Sequence, residues 1–295
     1  MARRALLWVL MAAYLLFWVG GIISYVFLDA LPAAADWAAP MFLTLAAAGV
    51  LASSPLRDWP FLWAAGVIGF ASELSGLSIH IPYGPYHYTD TLQPQIAGSP
   101  LVMIAAWMVL IAYVRQHTVS WRIPFTAVAV LGALWMTAID LVIDPLAAGP
   151  LNYWAWVHEG LYYGIPFTNF VGWFVVSLVI FLIWKPHPAR NPWAVWIGWS
   201  VILFFTIIAF GYRYWIPGVI GLALIAIDIS LLRQSPGEVP GREGRAGAAS
   251  GAPTKQLQSV GASLAKPVRI AIAKITQGLE PRPSVRGGIS SQLTL

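Results

Sequence analysis

The sequence predicts an all-α fold, a polytopic helical membrane protein with about eight transmembrane helices. Of its 295 residues, 59% are hydrophobic and only 10% are charged, with a mean hydropathy of +0.71. Soluble domains carry about 25% charged residues, which excludes that class. Apolar segments of about 20 residues, the length that crosses a bilayer as a helix, recur along the chain. The 16 tryptophans, many of them near the ends of these segments, are typical of membrane interfaces.

Eight apolar segments account for the predicted helices. They lie at 6–28, 37–54, 60–79, 98–114, 124–143, 167–184, 193–211 and 215–232. The first follows Arg3 and Arg4, as in a signal peptide, but it is long and lacks a small-residue cleavage site, so we expect it to remain as a membrane helix. The second contains Pro40 and a run of alanines, so seven helices is the alternative.

Basic residues alternate between the connections. The N-terminus and every second connection carry Arg3, Arg4, Arg57, Arg115, Arg122, Lys185, Arg190 and Arg233, whereas the opposite connections carry Arg213 alone. The positive-inside rule then predicts a multi-pass protein of the cell membrane with both termini cytoplasmic. This topology explains the net charge of +5 without a nucleic-acid partner, and it places the connections 80–97 and 144–166 on the outer side.

A change of composition predicts two regions. Residues 1–233 form the transmembrane domain, and residues 234–295, rich in Gly, Pro, Ser, Ala and Arg, form a flexible basic cytoplasmic tail. Apolar residues at helical spacing within 264–279 predict a short amphipathic helix on the inner leaflet, with a disordered tail as the alternative. The chain has no cysteine, which excludes thiolate catalysis and cysteine-ligated metals.

Three acids lie at membrane depth, where an ionisable group is costly and marks a functional candidate. Glu73 and His80 are seven positions apart on one predicted helix, and Asp140 and Asp144 are four apart on another, which ends at Pro145. We expect these four groups to converge on one cavity that opens outward, with one acid neutral through burial. The alternatives are structural: buried hydrogen-bonded carboxyls, Asp144 as a turn former and His80 as an interfacial residue.

The two outer connections are unusually aromatic for loops. Their rings include Tyr83, Tyr86, Tyr88, Trp154, Trp156, Tyr162 and Tyr163, interleaved with glycine and proline. Such loops are expected to fold back and cap the cavity, where their faces would attract a cation. The alternative is an aromatic belt at the outer interface.

Four motifs in order carry a family resemblance. They are Glu73 and Gly76 followed by PYGPYHYTD, GSPL at 98–101, DLVIDP at 140–145, and YYGIPFTNFVGW at 162–173. Across residues 10–232 the chain resembles the membrane carotenoid biosynthesis family that contains the carotenoid 1,2-hydratases. The resemblance implies that water adds across the terminal C1,2 double bond of an acyclic carotenoid such as lycopene, giving a tertiary alcohol without a cofactor or metal.

Hydration of an isolated alkene needs a proton donor, a base that positions water, and stabilisation of a tertiary carbocation. The catalytic candidates are Glu73, Asp140 and Asp144. The candidates for substrate binding or cation stabilisation are His80, Tyr83, Tyr86, Tyr88, Trp154, Trp156, Tyr162, Tyr163, Asn169 and Trp173. The expected partners are a lipophilic carotenoid, water and membrane lipid, with association with other carotenoid enzymes as a further expectation.

Two other functions fit part of the pattern. A small transporter or proton-coupled carrier would use the intramembrane acids as relay groups, but the chain shows no paired broken segments in two halves. A membrane prenyltransferase would use the DxxxD spacing of Asp140 and Asp144, but the second acidic cluster that binds magnesium and diphosphate is missing.

Overall fold

The computed structural model describes residues 2–28, 35–118, 123–183 and 190–234, and these residues form eight α-helices. The helices are α1 (Ala2–Ile22), α2 (Ala38–Ser53), α3 (Trp59–Ile79), α4 (Met103–Thr118), α5 (Phe125–Ala148), α6 (Phe167–Ile183), α7 (Pro192–Gly211) and α8 (Trp215–Gln234). A π-helical turn, Ile23–Phe27, continues α1, and a 3₁₀ turn, Leu56–Asp58, precedes α3. The predicted helical membrane fold is confirmed. The predicted tail from residue 235 onward, with its helix at 264–279, lies outside the described residues, as do Arg122 and Lys185.

Four apolar stretches in the described residues are long enough to cross a membrane: Arg3–Phe27, Leu56–Ile79, Phe125–Ala148 and Pro192–Gly211. Three helices are apolar but shorter: Ala38–Ser53, Phe167–Ile183 and Trp215–Ser230. Helix α4 is different, because residues 107–115 are buried on every side of the helix. A helix surrounded by other helices has little lipid-facing surface, which explains how α4 carries Arg115 and His117. The number of spans and the side of each terminus stay predictions.

Several arginines predicted on one side of the membrane gather at one end of the helices. The Arg3 guanidinium donates to the carbonyl oxygens of Ala52, at 2.8 Å, and Ser54, at the end of α2. A polar cavity of about 200 Å³ beside them is lined by residues that include Asp58, Arg115, Gln116, Arg190 and Asn191. Glu73 and Asp144 lie in the C-terminal halves of α3 and α5, whereas Asp58 of the arginine cluster precedes the first residue of α3. The arginine cluster and these acids therefore occupy different ends of the helices.

Helix α5 continues past the proline that was predicted to end it. The expectation of a helix end at Asp144–Pro145 is wrong, because α5 runs to Ala148 with Pro145 inside it. Proline has no N–H, so the carbonyl of Leu141 loses its helical donor. The Tyr162 hydroxyl donates to that carbonyl oxygen at 2.9 Å, which replaces the missing hydrogen bond.

The hydrogen bond from the Tyr162 hydroxyl to the Leu141 carbonyl can be tested by substitution. Tyr162→Phe should destabilise the protein by about 1 kcal/mol, because the Leu141 carbonyl is left without a donor. In the Pro145→Ala background the restored N–H serves that carbonyl, so the same substitution should cost almost nothing. Thermal unfolding of the four proteins in detergent measures the coupling. Equal costs in both backgrounds would contradict the assignment.

A short ribbon joins the two aromatic connections. Strand β1 (Tyr86–Tyr88) pairs antiparallel with β4 (Trp154–Trp156), so that Tyr86 lies opposite Trp156 and Tyr88 opposite Trp154. A second pair, β2 (Gln95–Ile96) and β3 (Ser99–Pro100), follows in the first connection. Because side chains alternate along a strand, the four rings share one face of the β1–β4 ribbon. That face is turned towards the acids.

A polar contact at the arginine end ties α4 to α8. The His117 Nδ1 atom lies 3.0 Å from Asp228 Oδ1, and the Tyr113 hydroxyl donates to Asp228 Oδ2 at 2.8 Å. Both His117 and Asp228 are buried. Asp228, in α8, therefore takes both of these partners from α4.

Candidate functional site

A small cavity lies between α3, α5, α6 and the β1–β4 ribbon. It is lined by Glu73, Tyr83, Tyr86, Tyr88, Met103, Asp144, Trp154, Trp156, Asn169 and Trp173. Its volume of about 20 Å³ is enough for roughly one water molecule. The wall combines two carboxyl groups and one amide with aromatic rings. We call it the acid cavity.

Glu73 is buried in α3, with 4% of its surface exposed, and three groups donate to its carboxyl. Oε2 accepts from the hydroxyls of Tyr86, at 2.5 Å, and Tyr88, at 2.9 Å. Oε1 accepts from Trp107 Nε1 at 3.2 Å. Carboxylate oxygens only accept, so this set of three donors suits an ionised side chain.

The two tyrosines of β1 are held as hydrogen-bond donors. Burial raises the pKa of Tyr86, and the negative charge of Glu73 adds to that effect. Burial and Glu73 likewise raise the pKa of Tyr88 well above its usual value. Both phenols therefore keep their protons at any physiological pH, and both remain available to donate to Glu73.

The two acids of α5 share one amide. Asn169, in the first turn of α6, donates through Nδ2 to Asp140 Oδ2 at 2.7 Å and to Asp144 Oδ2 at 3.0 Å. Trp154 Nε1 donates to Asp144 Oδ1 at 2.8 Å. Oδ1 of Asp140 is buried without a hydrogen-bond partner among the described residues. Two carboxyls held this close favour a single proton between them, because two adjacent negative charges repel.

Stacked and wedged rings close the rest of the cavity. Trp173 stacks on Trp107 with ring centroids 4.4 Å apart. The Tyr83 ring lies between two glycines, since a Cβ on Gly172 or Gly76 would stand 2.5 or 2.9 Å from a ring carbon. Its hydroxyl hydrogen-bonds Ser72 Oγ at 2.6 Å. Small residues at both positions are therefore needed for the ring to fit between α3 and α6.

The structure brings the three acids together but leaves three other candidates elsewhere. His80 is exposed, because α3 ends at Ile79 and His80 turns into the left-handed region, with φ of 63°. The expected convergence of His80 with Glu73 is wrong, because it assumed that the helix continued. Tyr162 serves the Leu141 carbonyl, and Tyr163 stacks on Tyr214 at 4.9 Å. None of the three lines the acid cavity.

Trp107 is the main site residue that the sequence did not reveal. It belongs to an apolar segment and reads as an ordinary membrane tryptophan. The available signal lies on α3, where Gly69 and Glu73 are four residues apart and share a face. A Cβ on Gly69 would stand 2.1 Å from Trp107 Cγ, so the glycine makes room for the indole that reaches Glu73.

Within the described ranges, no three histidine, aspartate or glutamate side chains are grouped so that they could hold a metal ion. The acids instead accept hydrogen bonds from indole, phenol and amide groups. The arrangement is suited to moving protons between carboxyls and a small molecule such as water.

Comparison with known proteins places these residues in a family. The family described as "Carotenoid biosynthesis protein" matches residues 36–228, about two thirds of the chain, and this range includes all three acids. The chain is also similar to a bisanhydrobacterioruberin hydratase from Haloarcula japonica, with 28% identity over 148 residues, which are 46% of this chain and 47% of that protein. The match thus spans about half the length of this relative, and no solved structure matches the chain. The chain belongs to the carotenoid biosynthesis protein family.

Proposed function

We propose that the protein hydrates the terminal C1,2 double bond of an acyclic carotenoid end group. Family membership supports a role in carotenoid biosynthesis, and the name of the similar protein supports a hydratase. The observation that carries the proposal is the acid cavity, where buried carboxyls and aromatic rings surround room for about one water. These are the groups that acid-catalysed hydration of an alkene requires.

The Asp140–Asp144 pair is the proposed proton donor. One amide nitrogen serves both carboxyls, and Asp144 reaches the cavity wall. A proton shared by the pair is available to the alkene carbon C2. Protonation there breaks the π bond and leaves the positive charge on the tertiary carbon C1.

Glu73 is the proposed base. Its carboxyl already accepts three hydrogen bonds and lines the same cavity, so it is placed to hold a water molecule. The water oxygen bonds to C1, and one of its protons passes to Glu73. Transfer of that proton back to the aspartate pair restores the site, so the reaction adds one water and needs no oxidant or reductant.

The aromatic walls are proposed to stabilise the cation. Tyr86, Trp156 and Trp173 line the cavity, and aromatic π faces attract positive charge by about 0.5–2 kcal/mol each. The cavity must widen to admit an end group, since its present volume fits only about one water. The substrate is lipophilic, so a multi-pass location in the cell membrane and association with other carotenoid enzymes are part of the proposal.

The function is tested by expression in a lycopene-producing host followed by mass analysis of the pigments. The expected product is heavier than lycopene by one water. Growth in ¹⁸O-labelled water should place the label in the new hydroxyl, which separates hydration from oxygenation. Expressed protein without a hydrated product from lycopene would refute the proposal for that substrate.

A proton-coupled carrier is less well supported than an enzyme. Its relay acids would need to connect two sides of the membrane, whereas Glu73, Asp140 and Asp144 form one group at one end of the described helices. Family membership also favours a biosynthetic role. A prenyltransferase would require a magnesium and diphosphate site, and Asp140 and Asp144 share an amide donor instead.

A further inference from the structure

A second cavity is lined in part by Tyr153, the residue that precedes β4. It has a volume of about 330 Å³, within the range of small-molecule sites, and lies between α1, α2, α7 and the π-helical turn. We call it the α1–α2 cavity. Its aromatic walls come from Phe17, Trp37, Phe42, Phe204 and Phe205.

The polar groups of the α1–α2 cavity are few and are grouped. Ser24 and Tyr25, both buried, come from the π-helical turn, and Tyr153 precedes β4. The hydroxyls of Tyr25 and Tyr153 lie 3.2 Å apart, a long and weak hydrogen bond. A π-helical turn in a cavity wall is a common feature of functional sites.

Consecutive residues line the two cavities. Tyr153 lines the α1–α2 cavity, and the next residue, Trp154, lines the acid cavity and donates to Asp144. The two cavities therefore share one segment of chain in their walls. The Tyr153 side chain is held at its hydroxyl by the weak bond to Tyr25.

We propose that the α1–α2 cavity binds the hydrocarbon chain of an acyclic polyene next to the acid cavity. This inference rests on the proposed function, because it assigns a place to the chain of the same substrate. The acid cavity holds about one water and has no room for a chain. The α1–α2 cavity has apolar and aromatic walls. Its lining residue Tyr153 is next in sequence to Trp154, whose indole donates to Asp144.

The absence of cysteine from the sequence gives a direct test of binding. Ser24→Cys is almost isosteric and places a single thiol in the cavity wall. In nanodiscs, lycopene at about ten times its Kd should slow alkylation of this thiol by a membrane-permeant maleimide about tenfold, because only unoccupied protein reacts. Ser230→Cys, on the exposed face of α8, is the control and should react at an unchanged rate.

The outcomes distinguish lycopene binding from general lipid binding, and they distinguish the cavity assignment from the proposed hydration. No protection of Ser24→Cys by lycopene would overturn the cavity assignment, even where hydration is observed. Equal protection by n-hexadecane would also overturn it, since the cavity would then be a general lipid groove. Protection by lycopene alone supports the cavity, and it does so whether or not the wild type hydrates lycopene, because alkylation does not depend on turnover.

A pair of matched substitutions adds a kinetic test. Gly20 lines the cavity, and a Cβ built there meets no atom within 4 Å. Gly20→Phe should raise the KM for lycopene at least about tenfold, because the phenyl ring takes up space in the cavity, whereas Ser230→Phe, on the exposed face of α8, should leave it unchanged. Equal KM values for the two variants would contradict the proposal.

Discussion

Asp144→Asn is expected to abolish hydration while the protein still folds into the membrane. Asparagine keeps the shape of the side chain but cannot donate a carboxyl proton, and loss of a general acid typically costs about 10²–10⁴-fold in rate. It would also end the proton sharing proposed for Asp144 and Asp140, which both accept from the Asn169 amide. Pigment analysis of cells with equal amounts of membrane protein measures the effect.

The matched control for this substitution is Glu159→Gln. Glu159 lies in the connection between α5 and α6, is exposed and does not line the acid cavity. It undergoes the same change from carboxyl to amide, and its activity should equal that of the wild type. Wild-type activity in Asp144→Asn would remove the aspartate pair as proton donor.

Glu73→Gln should also abolish hydration, with a different signature. Glutamine cannot take the proton from water, and its NH₂ group cannot accept from the Trp107 indole, so a cost of about 1–3 kcal/mol in stability is expected as well. The aspartate pair still protonates the alkene. The cation then returns its proton to the pair instead of capturing water.

Deuterium exchange distinguishes the two roles. In D₂O, Glu73→Gln should recover lycopene that carries deuterium at the terminal double bond, because protonation is reversible and hydration is blocked. Asp144→Asn should recover unlabelled lycopene, because the first step is missing. The reverse pattern would show that Glu73 is the acid and the aspartate pair the base.

The sequence predicted the helical framework well because a bilayer imposes a simple requirement. Helices need about 20 apolar residues, and the apolar segments are visible without tertiary information. Asp140 and Asp144 share a face as expected, since helical spacing inside one helix is regular. His80 failed for the complementary reason: it lies one residue past the end of α3, where a left-handed residue changes direction.

Contacts between distant segments could not be predicted in the same way. The Tyr162 hydroxyl donates to the Leu141 carbonyl that Pro145 leaves without a helical donor. No local sequence pattern predicts a donor 21 residues away from Leu141. Strands β1 and β4 have three residues each, too few for a periodic signal. Their alternation is visible in retrospect, because YHY and WAW place an aromatic ring at every second position.

The β1–β4 ribbon carries hydrogen-bond donors to both Glu73 and Asp144, so it cannot move away from one of these acids without leaving the other. Tyr86 and Tyr88 from one connection hold Glu73, and Trp154 from the other holds Asp144. Because the strands are hydrogen-bonded to each other, lifting the ribbon removes donors from both acids together. A carbocation formed in the acid cavity, as proposed, would lie against these same rings, so admitting bulk water by lifting the ribbon would also remove donors that hold the acids in place.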